Sequence, residues 1–342
     1  MPLISHRPWF FVLALLLYTF NVKLIVAASS VNDPLVSEQW GWYRIDVDKA
    51  YETGYRGSGV IVAVLDTGVD GDHPDISTNI IDGWNFVDNN DNVTDLDGHG
   101  TMVAGIIAAI ANNGVGIAGV APEVKIMPLK VLTSSGGNWI DLDRAIIRAA
   151  DNGARVIVMS LGGKYSPLSL ATKAAIDYAY RKGCILVAAA GNDNTSEPFY
   201  PAAYDEVIAV SAIDQNDIKA HFSNFGDYID FCAPGVNIIS TWKNGKYAYG
   251  SGTSFAAPYV AGVVALLLSK YPELSNEDVV ATLRVYAEDL GEEGWDPYYG
   301  WGLINAYRVV SQTPIPEFPK LAPPILVMTI TMLLILFKKI KS

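Results

Sequence analysis

Between residues 34 and 312 the chain carries five nearly continuous apolar runs, Val60–Leu65, Val124–Leu132, Arg155–Leu161, Ile185–Ala190 and Val207–Ser211, most of them separated by helical patterns. A strand with one wet face alternates apolar and polar residues, whereas a strand that is apolar throughout needs cover on both faces. The stretches between supply that cover. In Trp139–Asp151, Leu142, Ala145, Ile146 and Ala149 fall on one stripe, with Asp141, Arg144 and Arg148 outside it, and Leu168–Arg181 behaves similarly. The expected architecture is α/β in three layers, a mostly parallel central sheet with helices on both faces. No internal repeat or low-complexity linker divides it, so residues 29–312 read as one domain.

Two more apolar segments belong to no soluble core. Near the start, Arg7, the run Trp9–Phe20 and the small residues Val26-Ala27-Ala28 read as a secretory signal peptide over residues 1–28, although Lys23 departs from the pattern. A retained N-terminal helix is the alternative. Near the end, Leu321–Phe337 is at the lower limit of a spanning helix and is followed by Lys338, Lys339 and Lys341, which by the positive-inside rule leaves the domain outside the cell. The proline-rich stretch before it reads as a stem over residues 313–320, ahead of a transmembrane or sorting segment over 321–342. Charge supports this division. The whole chain is −12, but the ends hold six bases and no acid, so the middle is −18. Such an acidic domain is unsuited to nucleic-acid phosphates, and with 50% hydrophobic residues it is not disordered.

In parallel sheets function gathers beyond the carboxyl ends of strands. Asp66 ends the first run and is followed by Thr67-Gly68; His99 lies in Asp97-Gly-His-Gly-Thr101 before the apolar helix expected over Met102–Ala111; Ser254 lies in Gly250-Ser-Gly-Thr-Ser254 before the helix expected over Phe255–Lys270. Singly, an Asp there caps a turn, a His is structural and a Ser caps a helix. Together they are Asp, His and Ser, each in a Gly-containing turn.

Here the chain resembles the subtilisin-like serine proteases, the subtilases, through Asp66-Thr-Gly-Val-Asp70, His99-Gly-Thr-Met-Val-Ala-Gly105 and Gly252-Thr-Ser-Phe-Ala-Ala-Pro258. The likeness spans roughly residues 33–310 and is nearest the thermitase-like branch, through Gly83-Trp-Asn-Phe-Val-Asp88, Tyr200-Pro-Ala-Ala-Tyr204 and Asp214-Gln-Asn-Asp217. It implies a subtilisin-like fold and a serine endopeptidase in which Ser254 is the nucleophile, His99 the general base and acid, and Asp66 the residue that orients the imidazole. Asn192, in Ala188-Ala-Ala-Gly-Asn192, and the backbone N–H of Ser254 would stabilise the oxyanion. Ser160, Leu161 and Gly162, with Gly163, and Ala188, Ala189, Ala190 and Gly191 match the walls of the family's specificity pocket; Ser135, Gly136 and Gly137 match the strand that pairs with substrate. No acid stands at the pocket walls, so a medium to large apolar residue is expected before the scissile bond.

The resemblance also implies structural Ca²⁺. Asp75 and Asn113, with the carbonyls of Ala111, Val115 and Ile117, match the family's tight site, and Asp33 the ligand that ties down the N-terminus. A second acidic stretch, Asp88 to Asp97 with Asp88 and Asp91, is either another calcium loop or a solvated one; Asn92-Val-Thr94 within it is a glycosylation sequon, as is Asn194-Thr-Ser196. No organic cofactor is implied. Departures are few. Met102 stands where the family often has His. Phe255 follows the nucleophile where many relatives have an oxidisable Met, so activity should better survive peroxide. Almost nothing separates Ala28 from Asp33 where the family carries a propeptide. Cys184 and Cys232 are expected as buried thiols, a disulfide being the alternative. The expected protein is therefore exported and held at the cell surface, acting on proteins or peptides. Its tether is the C-terminal helix or, since Pro316-Glu317-Phe318 resembles archaeal sorting signals, a sortase-like processing enzyme's product. The rival from another class is a catalytically silent surface binding module of the same fold.

Overall fold

The computed structural model describes residues 31–164 and 169–314. The expected signal peptide, the stem from residue 315 onward and the segment 321–342 lie outside the described residues. Within them, β1 (Ile61–Asp66), β2 (Trp84–Asn85), β3 (Lys125–Lys130), β6 (Val156–Met159), β7 (Ile185–Ala189), β8 (Val207–Ile213) and β9 (Phe231–Pro234) form a seven-stranded sheet in the order β2-β3-β1-β6-β7-β8-β9. Every pairing in it is parallel. Two antiparallel pairs lie apart: β4 (Leu132–Thr133) with β5 (Gly136–Gly137), and β10 (Ile238–Trp242) with β11 (Lys246–Gly250).

Both faces of the sheet are buried, as the uninterrupted runs require. Alternate residues of β1 point to opposite sides, so Val62 and Val64 enter one core cluster and Ala63 and Leu65 the other. The first cluster is covered by two short helices, α1 (Trp40–Arg44) and α2 (Val47–Tyr51), by α3 (His99–Ala108) and by α6 (Thr253–Lys270); the second by α4 (Trp139–Asp151) and α5 (Ser169–Arg181). Helix α6 is long and apolar enough to cross a membrane, yet its residues from Phe255 to Leu268 are buried in the protein. It is the core helix of the domain. Helices α7 (Asn276–Tyr286) and α8 (Ala306–Ser311) complete the fold.

Some expectations move. The run Val124–Leu132 divides, because Leu132 and Thr133 leave the sheet to pair with Gly136 and Gly137. Helix α3 begins at His99 and ends at Ala108, not Met102 to Ala111. Asp141 is turned inward rather than out, since its carboxylate accepts the Asn138 side-chain N–H (2.6 Å) while its own backbone N–H donates to Asn138 Oδ1 (2.9 Å), closing the start of α4. Cys184 and Cys232 are free and buried, as expected, and burial pushes the Cys184 thiol up to about 11.

Candidate active site

Strand β1 lies between β3 and β6, which the chain reaches in opposite directions across the sheet. That reversal of order opens a crevice beyond the strand ends, and Asp66 is the last residue of β1. Its carboxylate is fully buried. Asp66 Oδ1 accepts the Thr67 N–H (2.7 Å) and the His99 Nδ1–H (2.8 Å), which leaves His99 Nε2 to act as a base.

The start of α3 is held by a residue that motif reading passed over. Asp95, buried in the acidic stretch, accepts the Asp97 and Gly98 N–H groups and the Thr67 hydroxyl with Oδ1 (3.0, 2.8 and 2.9 Å), and the Thr101 N–H and hydroxyl with Oδ2 (2.9 and 2.7 Å). Thr67 Oγ1 in turn accepts the Gly100 N–H at 2.9 Å. Asp95 thus satisfies donors that a helix start leaves bare and joins the Asp66 strand to the His99 helix. The glycine after His99 has a steric cause, since a Cβ at Gly100 would stand 2.1 Å from the Gly68 carbonyl oxygen. Burial alone would pull the His99 imidazole down; the charge and hydrogen bond of Asp66, with Asp97 and Asp95 beyond, outweigh it and hold its pKa above the ordinary 6.5.

Ser254 is the second residue of α6. Four residues on, Pro258 has no N–H to donate to the Ser254 carbonyl. The Ser160 hydroxyl donates to it instead (2.7 Å), while the Ser254 hydroxyl donates to the Ser160 carbonyl (3.1 Å). This exchange ties the end of β6 to the helix start. It also directs the Ser254 hydroxyl to Ser160 rather than to His99. The Phe255 ring packs beside the imidazole, centroids 5.3 Å apart.

Asn192 follows β7. Its side-chain oxygen accepts the Thr253 N–H (2.9 Å) and hydroxyl (3.0 Å), and Thr253 Oγ1 accepts the Gly191 N–H (3.1 Å), so the amide is fixed with Nδ2 directed away. A Cβ placed on Gly252 would lie 3.5 Å from Asn192 Nδ2 and 3.7 Å from the Ser254 nitrogen. The missing side chain therefore leaves a space bounded by two donors beside the serine, which suits a developing oxyanion.

A cleft of about 550 Å³ runs from Thr67, Asp97 and His99 past Gly136 and Gly137 to Ser160, Leu161 and Gly162. Ser135 is exposed beside the lining residues Ser134 and Gly136 but does not itself border the cleft, its N–H on Thr133 Oγ1 (3.2 Å). Gly136 and Gly137 expose an edge able to pair with an extended chain. Ala188 and Ala189 differ from expectation: their side chains enter the two cores, and neither Ala190 nor Gly191 borders the cleft.

Of the residues considered for metal, Asp75 and Asn113 meet (Asn113 Nδ2–H to Asp75 Oδ1, 2.8 Å), with the Ile117 N–H and Tyr247 hydroxyl on Oδ2 (both 3.0 Å). Burial pushes the Asp75 carboxyl up despite these bonds. A cation would relieve that cost, and an amide, a carboxylate and the carbonyls of the loop containing Ala111, Val115 and Ile117 are oxygen donors of the kind calcium takes. Asp33 accepts the N–H groups of Asn112 (2.7 Å), Asn113 (3.0 Å) and Gly114 (3.1 Å), so it fastens the N-terminal segment to the same loop. Asp88 and Asp91 are both exposed, and Asp88 bonds to Asn85 (3.0 Å). Among the described residues no three His, Cys, Asp or Glu side chains cluster for a metal.

A parallel sheet with an Asp–His pair at its switch point and a serine at a helix start defines a serine-hydrolase arrangement. Residues 57–302 match the subtilase family of peptidases. Thermitase of Thermoactinomyces vulgaris is 43% identical over 281 residues, 82% of this chain and 98% of its own, and subtilisin DY of Bacillus licheniformis is 45% identical over 271 residues, 78% and 96%. Among solved structures, a protease of Pseudoalteromonas arctica PAMC 21717 is 32% identical, with a TM-score of 0.76 over 83% of this chain and 99% of its own. The chain belongs to the subtilase family, in its thermitase-like branch, and is a subtilisin-like serine endopeptidase.

Proposed function

We propose that the protein is an exported, surface-tethered endopeptidase that cuts peptide bonds through Asp66, His99 and Ser254. The Ser254 hydroxyl turns from Ser160 to His99 Nε2 and adds to the peptide carbonyl carbon as its proton passes to the imidazole; the intermediate collapses, and His99 gives that proton to the departing amine. Water, activated by His99, then hydrolyses the acyl-serine ester. Asn192 and the Ser254 N–H hold the oxyanion while Gly136 and Gly137 pair with the extended substrate. The observation that carries this reading is the space at Gly252, bordered by Asn192 Nδ2 and the Ser254 nitrogen. An apolar residue before the scissile bond is favoured because Ser160, Leu161, Gly162 and Gly163, which border the cleft, bring no acid to it.

Calcium would be held by Asp75, Asn113 and the carbonyls of Ala111, Val115 and Ile117, and would supply charge balance for the buried carboxylate and a rigid loop. Export and tethering rest on the signal-like start and on the apolar, Lys-flanked end, retained as a membrane anchor or exchanged by a sortase-like enzyme. The test is a serine-directed phosphonate on the calcium-loaded full chain. Wild type should label and cleave casein, whereas Ser254→Ala should do neither. An unlabelled, folded wild type would instead indicate a silent binding module, and a Ser254→Ala variant cleaving at the wild-type rate would remove Ser254 as nucleophile.

A further inference from the structure

Helix α6 carries Ser254 at one end and a lysine at the other. Ser254 is its second residue and Lys270 its last, and at 1.5 Å per residue the helix holds them about 24 Å apart. The far end of α6 belongs to the opposite edge of the sheet. Arg155, the residue before β6, donates to the Pro272 carbonyl (2.8 Å) and the Leu274 carbonyl (3.3 Å), just past the helix. Asp66 and Ser254 thus stand beyond the carboxyl ends of the strands, and the close of α6 lies beside their amino ends.

The chain leaves the domain at that second end. Lys270 Nζ donates to the Val310 carbonyl (2.7 Å), and the Tyr286 hydroxyl to the Thr313 carbonyl (2.9 Å). From Pro314 to Leu321, where the apolar run begins, a fully extended chain reaches at most about 25 Å. Whatever surface holds that run, this end of the domain lies within a stem's length of it. Its side chains suit a headgroup layer. The Lys270 ammonium stands over the Tyr55 and Tyr271 rings, 5.5 and 4.9 Å from their centroids, and all three residues are partly exposed. Tyrosine and lysine gather at membrane surfaces because each joins an apolar body to a polar tip. Glu273 is exposed in the same turn, so the short stem and the tyrosines, rather than net charge, set the approach.

We propose that the face around Lys270, Tyr55 and Tyr271 rests on lipid headgroups and that the catalytic cleft opens away from the membrane. This rests on the tethering reading above and adds what the tethered enzyme can reach. Its substrates are polypeptides, or segments of them, that stand clear of the bilayer by about 24 Å or more, the length of α6 between lysine and serine. Chain lying against the lipid, including the enzyme's own stem and those of its neighbours, is at the wrong end of the domain. The proline-rich stem is therefore protected by position, with no need of a covering element.

The test uses the calcium-loaded full chain in vesicles of phosphatidylcholine and phosphatidylglycerol whose headgroups carry an energy acceptor. Cys184 and Cys232 are buried, so Glu273→Cys and Leu96→Cys, both at exposed positions, each take a donor label, one at the lysine end and one beside the start of the His99 helix. Transfer from position 273 should exceed that from position 96 by about twofold or more, given the ~24 Å between the two ends. Cleavage gives an independent reading. A peptide on a long vesicle-bound linker should be cut as fast as the free peptide, and one held against the headgroups about tenfold or more slowly, because it cannot be seated in the cleft. Detergent, which removes the bilayer, should abolish that difference. Equal or reversed transfer, or equal cleavage of the two bound peptides, overturns the orientation and leaves the tether standing. Protein that washes from the vesicles in alkaline carbonate overturns the tether and the orientation with it.

Discussion

At Asp97 a single carboxylate stands in the cleft near the imidazole and helps hold it above its ordinary pKa. Because His99 must be neutral to accept the serine proton, activity falls as pH drops through that raised value. Asp97→Asn removes negative charge that favours the imidazolium, so the acid limb of kcat/KM should move to lower pH; a pH profile checks this, and an unmoved limb refutes it. Gly252→Ala should be more damaging, because its methyl would enter the space shared by Asn192 Nδ2 and the Ser254 N–H. A drop in kcat of about 100-fold or more with little change in KM is expected, comparable to the known effect of deleting the corresponding asparagine in subtilisin. Steady-state kinetics decides it. The motifs made Asp66, His99, Ser254 and Asn192 legible because each sits in a short signature. Asp95 and Thr253 were not, since what they do depends on partners far along the chain: Asp95 looks like one acid among many, and Thr253 holds Asn192 across 61 positions.

Elements whose both faces are buried announced themselves. Strands β1, β6, β7 and β8 fall within or close to their apolar runs, and α4 spans the expected Trp139–Asp151. The four-residue β9 holds Cys232 and Pro234 and the two-residue β2 is shorter than any run, so neither has a pattern to read. Helix α3 began earlier than its apolar residues because Asp95, outside the helix, supports a first turn of His99, Gly100 and Thr101. Local caps can be tested in isolation. The Ser275 hydroxyl oxygen accepts the Asp278 N–H (3.1 Å) at the start of α7, far from the cleft, so Ser275→Ala should lower stability by about 1 kcal/mol with kcat/KM unchanged. Thermal denaturation and peptide kinetics on the same sample separate the two effects.

Across the whole molecule the acidic surplus is partly structural. Asp75 and Asp33 both converge on the loop at 111–117, which joins the N-terminal segment to β11 through Tyr247. If calcium binds there, a concentration a hundredfold above Kd adds about 2.7 kcal/mol of stability. Chelation should therefore lower Tm, calcium should restore it, and Asp75→Asn should abolish the difference; a Tm insensitive to chelator in wild type counts against the site. The exchange between Ser160 and Ser254 has a temporal side as well. Its partners are separated by 94 positions. Until that long loop closes, Pro258 leaves the nucleophile's own carbonyl without its helical donor. A chain emerging from synthesis thus carries every chemical group of a protease but has no seat for its serine, a form of latency that requires no inhibitor.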